Sequence, residues 1–218
     1  MEDFVNVRGL IIKHAPTGDY DWVVTIFTSD RGKITAFARS ARKPGGKLSG
    51  QVEPFSFGTF KLFAGKNSYT IVDADIENYF EGFRQDLEGA CYGTFFLELT
   101  SYYTRENVED VELLNLLYLS LKALLKESIP NKLVRCIFEI RALVIEGEFP
   151  GVSDDARYLS DTRYTIDFIA NTPLNRLFSF SLSDEIMAEL DRFTRELRKK
   201  SIDRPLKSLE MLSAIEKE

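Results

Sequence analysis

The hydrophobic period of this chain changes once, near residue 80, and that change limits the architectures open to it. Before that point apolar residues alternate or gather in short runs; after it they recur every three or four positions. Period two builds strands and period 3.6 builds helices, so a β part must precede a helical part. The expected division is a barrel domain over residues 1–80 and a helical domain over 81–218, an α+β protein of two domains.

Within the first part, residues 4–13 run into the apolar triplet at 10–12, and HAPTGD at 14–19 supplies turn residues. WVVTIFT at 22–28 is β-branched and aromatic, and SDRG at 29–32 reads as a hairpin connection into residues 33–39. There Ile34, Ala36 and Ala38 share one face, and Lys33, Thr35, Phe37 and Arg39 share the other. KPGGK at 43–47 is a loop, and runs at 51–63 and 68–77 bring the strand count to five. Five short strands in about 80 residues must curl to hide their apolar face, which fits a small OB-fold barrel.

Residues 87–103, 111–125, 133–145 and 185–199 carry the helical spacing. Pro130 stands at a helix start, Gly147 and Pro150 at a helix end, and Ser183 before Asp184 and Glu185 reads as an N-cap. The aromatic series Tyr92, Phe95, Phe96, Tyr102 and Tyr103 falls largely on one helix side and is read as core packing.

An apolar fraction of 44% and 28% charged residues describe an ordinary globular composition. No apolar run reaches the roughly 20 residues that span a bilayer. The first residues carry Glu2 and Asp3 where an export signal has cations, so the expected location is cytoplasmic, in association with the nucleoid, with no membrane partner. Cys91 and Cys136 are expected as buried free thiols. A single histidine, His14, and no CxxC pair leave no Cys/His zinc site, and neither a metal nor another cofactor is expected.

Net charge is -6, but it is unevenly placed. Residues 1–80 hold ten Lys/Arg against nine Asp/Glu, whereas residues 81–218 hold eighteen against twenty-five. Inside the first part, RGKITAFARSARKPGGK at 31–47 carries six cations and no acid: Arg31, Lys33, Arg39, Arg42, Lys43 and Lys47. Scattered surface lysines are ordinary; an acid-free strip on a barrel strand and loop points to phosphate, and on an OB-like barrel to a nucleic-acid strand. Phe37, central in the strip, is either a base-stacking platform or a residue packed beneath a domain interface.

Catalytic patterns are missing from the sequence. There is no GxSxG around a serine, and the glycine-rich 43–47 lacks the GxxxxGK[ST] pattern that wraps a triphosphate. The acid pairs Asp154/Asp155 and Asp73/Asp75 read as solvated turn and strand residues. No enzymatic activity is expected.

Several segments in order then resemble the RecO family of recombination mediators. They are GLIIK at 9–13, DYDWVVTIFT at 19–28, RGKI at 31–34, AFARSAR at 36–42, LSGQVEPF at 48–55 and YTIVDAD at 69–75. FEIRALVIEGEFP at 138–150 resembles the family's helix ending in a Gly-x-x-Pro step, and RPLKSL at 204–209 its closing helix. The resemblance implies an OB-fold followed by a helical domain and a non-enzymatic role. That role is binding single- and double-stranded DNA, annealing complementary strands, and helping RecR load the recombinase RecA onto strands coated by single-stranded DNA-binding protein (SSB). Carried onto this chain, Arg31, Arg39, Arg42, Lys43 and Lys47 are the phosphate contacts. Many family members have a four-cysteine zinc motif after the Gly-x-x-Pro helix; here 151–172 contains no cysteine, which implies a zinc-free variant with a short hairpin at 158–160 and 163–167.

A second reading makes the chain a scaffold that holds RecR or the acidic SSB C-terminal tail on its helical domain, with DNA secondary. Such a tail needs a local cationic and apolar pocket, for which Arg135 and Arg141 on the 133–145 helix are the proposed charges.

Overall fold

A computed structural model describes residues 4–66, 68–152 and 157–215. The chain gathers into two compact units, one of Met1–Glu81 with Leu97–Leu114 and the other of Gly82–Phe96 with Asn115–Glu218.

In the first unit, strands β1 (Phe4–Thr17), β2 (Asp21–Thr28), β3 (Gly32–Ala38), β4 (Phe57–Ala64) and β5 (Tyr69–Asn78) close into a barrel in the order β1-β2-β3-β5-β4. This is the OB-fold expected from the sequence. A register shift in β1 between Ile11 and Lys13 re-aims the strand, which lets Leu10, Ile11 and Ile12 all be buried despite standing in sequence. Along β3 the period holds as read: Ile34, Ala36 and Ala38 enter the core, and Lys33, Thr35 and Phe37 face out. Closure rests on a parallel β3–β5 seam of two residue pairs, Ala36 with Tyr69 and Phe37 with Thr70.

The strand expected over 51–63 begins only at Phe57. Residues 39–56 form successive turns, with Gly46, Ser49, Gln51 and Ser56 each donating a backbone N–H to the carbonyl three residues back. Ser40 and Phe55 adopt left-handed backbone, at φ 55° and 74°, which a strand cannot contain. Val52, Leu48 and Ala41 then plug the barrel as core residues.

The helices are α1 (Leu87–Tyr103), α2 (Val111–Leu124), α3 (Asn131–Ile145), α4 (Ser160–Asn171), α5 (Asp184–Ser201) and α6 (Lys207–Ile215). Ser183 caps α5 as expected, its Oγ accepting the Ile186 N–H. Tyr92, Phe95 and Phe96 are buried as read, Phe96 stacking on Phe138 at 4.2 Å between centroids. Both cysteines are free and buried, and burial pushes the Cys136 thiol up to about 12.

In place of the hairpin expected at 158–160 and 163–167, Tyr158 and Leu159 lead into α4, which begins at Ser160 and takes in 163–167. Thr162, Thr165, Ile166, Ile169 and Ala170 are its buried face, a helical spacing hidden by β-branched residues. Its N-terminus has no cap of its own; Glu189 of α5 accepts the Leu159 N–H at 2.9 Å and the Thr162 hydroxyl at 2.6 Å. Those bonds hold the Glu189 carboxyl below its ordinary value, the Thr162 hydroxyl contributing most. The acid pair at 154–155 lies outside the described residues.

Candidate nucleic-acid interface

The six strip cations occupy three settings. Arg31 sits in the β2–β3 turn, whose shape is held by Thr28: its hydroxyl donates to the Gly32 carbonyl at 2.9 Å and accepts the Arg31 N–H at 3.1 Å. The Arg31 guanidinium has Asp30 beside it at 3.5 Å. Lys33, on the outer face of β3, donates from Nζ to the Ser101 carbonyl at 3.0 Å. Phe37 is half-buried on that outer face, between Val23 of β2 and Thr70 of β5.

Beyond β3 the cations reach outward. Arg39 and Lys43 are exposed and have no acidic partner among the described residues. Arg42 is exposed too, with its guanidinium carbon 5.2 Å from the Trp22 ring centroid, within cation–π range. Trp22 in turn stacks on His14, their centroids 4.1 Å apart, and His14 Nδ1 lies 3.1 Å from Glu53 Oε2. Lys47 is engaged: Nζ lies 3.0 Å from Asp73 Oδ1 and 3.2 Å from the Val72 carbonyl oxygen. That hydrogen bond holds the Asp73 carboxyl below the usual carboxylate range. Arg39, Arg42 and Lys43 are therefore a solvent-facing triad, whereas Lys33 and Lys47 also hold the fold together.

Two features of the surface were not read from sequence. Trp22 and His14 buttress Arg42, which only the β1–β2 register reveals. A notch of about 310 Å³ lies where Arg31, Lys33 and Thr35 meet Lys66 and Tyr69 around the β4–β5 turn, with Glu106 and Asn107 as the remaining wall.

In the second unit lie Arg135 and Arg141, the charges proposed for a tail pocket. Both are interior, at 2% and 7% exposure, because α3 is buried nearly all round. Arg135 pairs with Asp191, and Arg141 donates to the Ala170 carbonyl. A charge buried on α3 survives only with such partners. Beside Arg135 opens a cavity of about 410 Å³, in which Arg195, Lys199 and Arg204 accompany Ile202, Leu206 and Leu209.

A four-cysteine zinc site does not fit this chain, whose two cysteines are buried in α1 and α3 and whose 151–172 stretch has none. Among the described residues no helix is long and apolar enough to cross a membrane.

Comparison with known proteins agrees with this architecture. The family description Recombination protein O N terminal matches residues 1–80, and Recombination protein O C terminal matches residues 84–158. The DNA repair protein RecO of Acetivibrio thermocellus is 27% identical, covering 99% of this chain and 98% of that one. The DNA repair protein RecO of Clostridium perfringens strain 13 is 28% identical, covering 95% and 96%. That of Alkaliphilus metalliredigens is 31% identical over a stretch covering 67% of this chain and 59% of the relative. Fold and relatives together define a protein of DNA repair and recombination, built as an OB-fold barrel followed by helices. The chain belongs to the RecO family.

Proposed function

We propose that this chain binds single- and double-stranded DNA through its barrel, anneals complementary strands, and acts with RecR to load RecA on SSB-coated DNA, without catalysing a reaction. The observation that carries the reading is the outward triad of Arg39, Arg42 and Lys43, which follows the Phe37-bearing face of β3. Cations without an acidic partner among the described residues release counterions when they meet phosphate, and Phe37 offers a half-buried ring to a base.

Fluorescence anisotropy with a labelled oligonucleotide at two salt concentrations tests it. Replacing all three cations by alanine should weaken binding across sequences and flatten the log–log salt slope by about 2 for a single strand, from roughly 0.7 per phosphate contact. Binding indifferent to salt and to the triple substitution would sink the reading.

One observation favours a second role beside it: the cavity at Arg195, Lys199 and Arg204 joins cations to an apolar floor. Such a pocket suits the carboxylates and apolar residues of an SSB C-terminal tail. A tail peptide should be retained by the intact chain and released by Lys199→Glu with Arg204→Glu; retention unchanged by both substitutions rules the pocket out.

A further inference from the structure

We infer that the notch between β3, the β4–β5 turn and the 106–107 segment holds one unstacked nucleotide of a bound strand and prefers a base bearing an amino group. The inference rests on the DNA-binding reading and deepens it. Arg31 and Lys33 belong both to the cationic strip and to the notch wall, so a strand following the strip is led to this opening. From the opposite side comes Lys66, exposed and without an acidic partner among the described residues. Two cationic side chains from different turns suit one phosphate, Arg31 reaching it with the guanidinium edge that its Nε contact with Asp30 at 3.5 Å leaves over.

The remaining lining is suited to a base. Tyr69, half-buried where β5 meets β3, supplies an aromatic ring at the wall. Asn107 offers an amide donor and acceptor, and Glu106 offers acceptors only. A carboxylate here repels phosphate and accepts from a donor, and the exocyclic amino group of cytosine is one donor it suits. At about 310 Å³ the cavity lies near the small end of ligand sites, roughly 300–1,000 Å³, which suits one nucleotide and not stacked bases.

The wall is also pre-formed. The Lys33 N–H donates to the Arg105 carbonyl at 3.0 Å, the Asn107 N–H to the Arg31 carbonyl at 2.9 Å, and Lys33 Nζ to the Ser101 carbonyl at 3.0 Å. Asn107 holds left-handed backbone at φ 60° to make this approach. A rigid notch loses little entropy when it is filled.

The test uses the full chain and two labelled strands, dC12 and dT12, alike in charge and both weakly stacked. Wild type should bind dC12 at least about fivefold tighter, the low end of base discrimination by side-chain contacts. Glu106→Ala and Asn107→Gly, both at exposed positions and the second tolerant of the left-handed backbone, should erase the preference while leaving the salt slope nearly intact. Lys66→Ala should weaken both strands and lower the slope by about 0.7. Equal affinity of wild type for the two strands, or a preference that survives Glu106→Ala and Asn107→Gly, overturns the inference. If the Arg39/Arg42/Lys43 alanine variant binds both strands as wild type does, the DNA-binding reading itself fails; a loss there with no base preference refutes the notch alone.

Discussion

Gly32 is a position at which the barrel has no room for a single methyl group. It stands at φ +59°, and a Cβ added there would lie 2.1 Å from the Arg105 carbonyl oxygen and 2.6 Å from that of Val108. Both obstacles are backbone, so neither can rotate away as a side-chain tip would. Gly32→Ala therefore carries two costs: about 1–2 kcal/mol for a left-handed alanine, and about 1–3 kcal/mol for overpacking. A loss of about 3 kcal/mol is expected. Gly45→Ala separates the two, because Gly45 has a similar φ of +73° with nothing within 4 Å of its Cβ position, and should lose only about 1 kcal/mol. Trp22 is the single tryptophan and lies on β2, so its fluorescence in a urea titration follows the barrel. With a slope of about 2 kcal/mol per molar urea, Gly32→Ala should lower the midpoint by about 1.5 M and Gly45→Ala by about 0.5 M. Equal shifts for the two variants would show that the 105–108 segment yields freely and is not held against β3.

Two further outcomes follow from the second unit. Arg198 donates to Glu139 at 2.5 Å; Glu139 is 4% exposed, and burial pushes its carboxyl upward against the pull of Arg198 and Arg135. Arg198→Ala should destabilise by about 3 kcal/mol, and Arg198→Met with Glu139→Met should recover most of it, as chemical denaturation followed by far-UV circular dichroism would register. Glu189 has its carboxyl lowered in the folded chain, so its contribution is present above its ordinary value of 4.5 and is lost as pH falls through the folded value. Glu189→Ala should cost about 1 kcal/mol at neutral pH and less in acid, read from urea midpoints at neutral and acidic pH.

Local chemistry was legible where neighbours in sequence decide the structure. The alternation of Ile34, Ala36 and Ala38 placed β3 and its outward cations, and Ser183 with Asp184 and Glu185 placed the start of α5. Residues 51–56 depart from the expected strand although Val52 and Phe55 have strand-like side chains; the left-handed backbone at Phe55 accompanies a long-range bond from its N–H to the Ile11 carbonyl at 3.1 Å. α4 was missed because its residues are β-branched and its cap is lent by Glu189 from another helix. Arg135 could not be judged from its own surroundings, since its partner Asp191 lies 56 residues away. The notch is still less local: its walls come from three separated stretches, near residues 31–35, 65–69 and 106–107.

The fence around β3 bears on how other proteins can meet this barrel. One edge of the strand is paired with β2 throughout; the other is bridged to Glu106 at Gly32, bonded to Arg105 at Lys33, and joined to β5 at Ala36 and Phe37. Between those attachments stand Ile34 and Thr35, both at the notch. Two residues are too short a gap for another chain to extend the sheet by β-strand addition, the route by which many exposed edges recruit peptides or seed aggregation. Whatever meets β3 must read its side chains, and a lone base can enter where a backbone cannot.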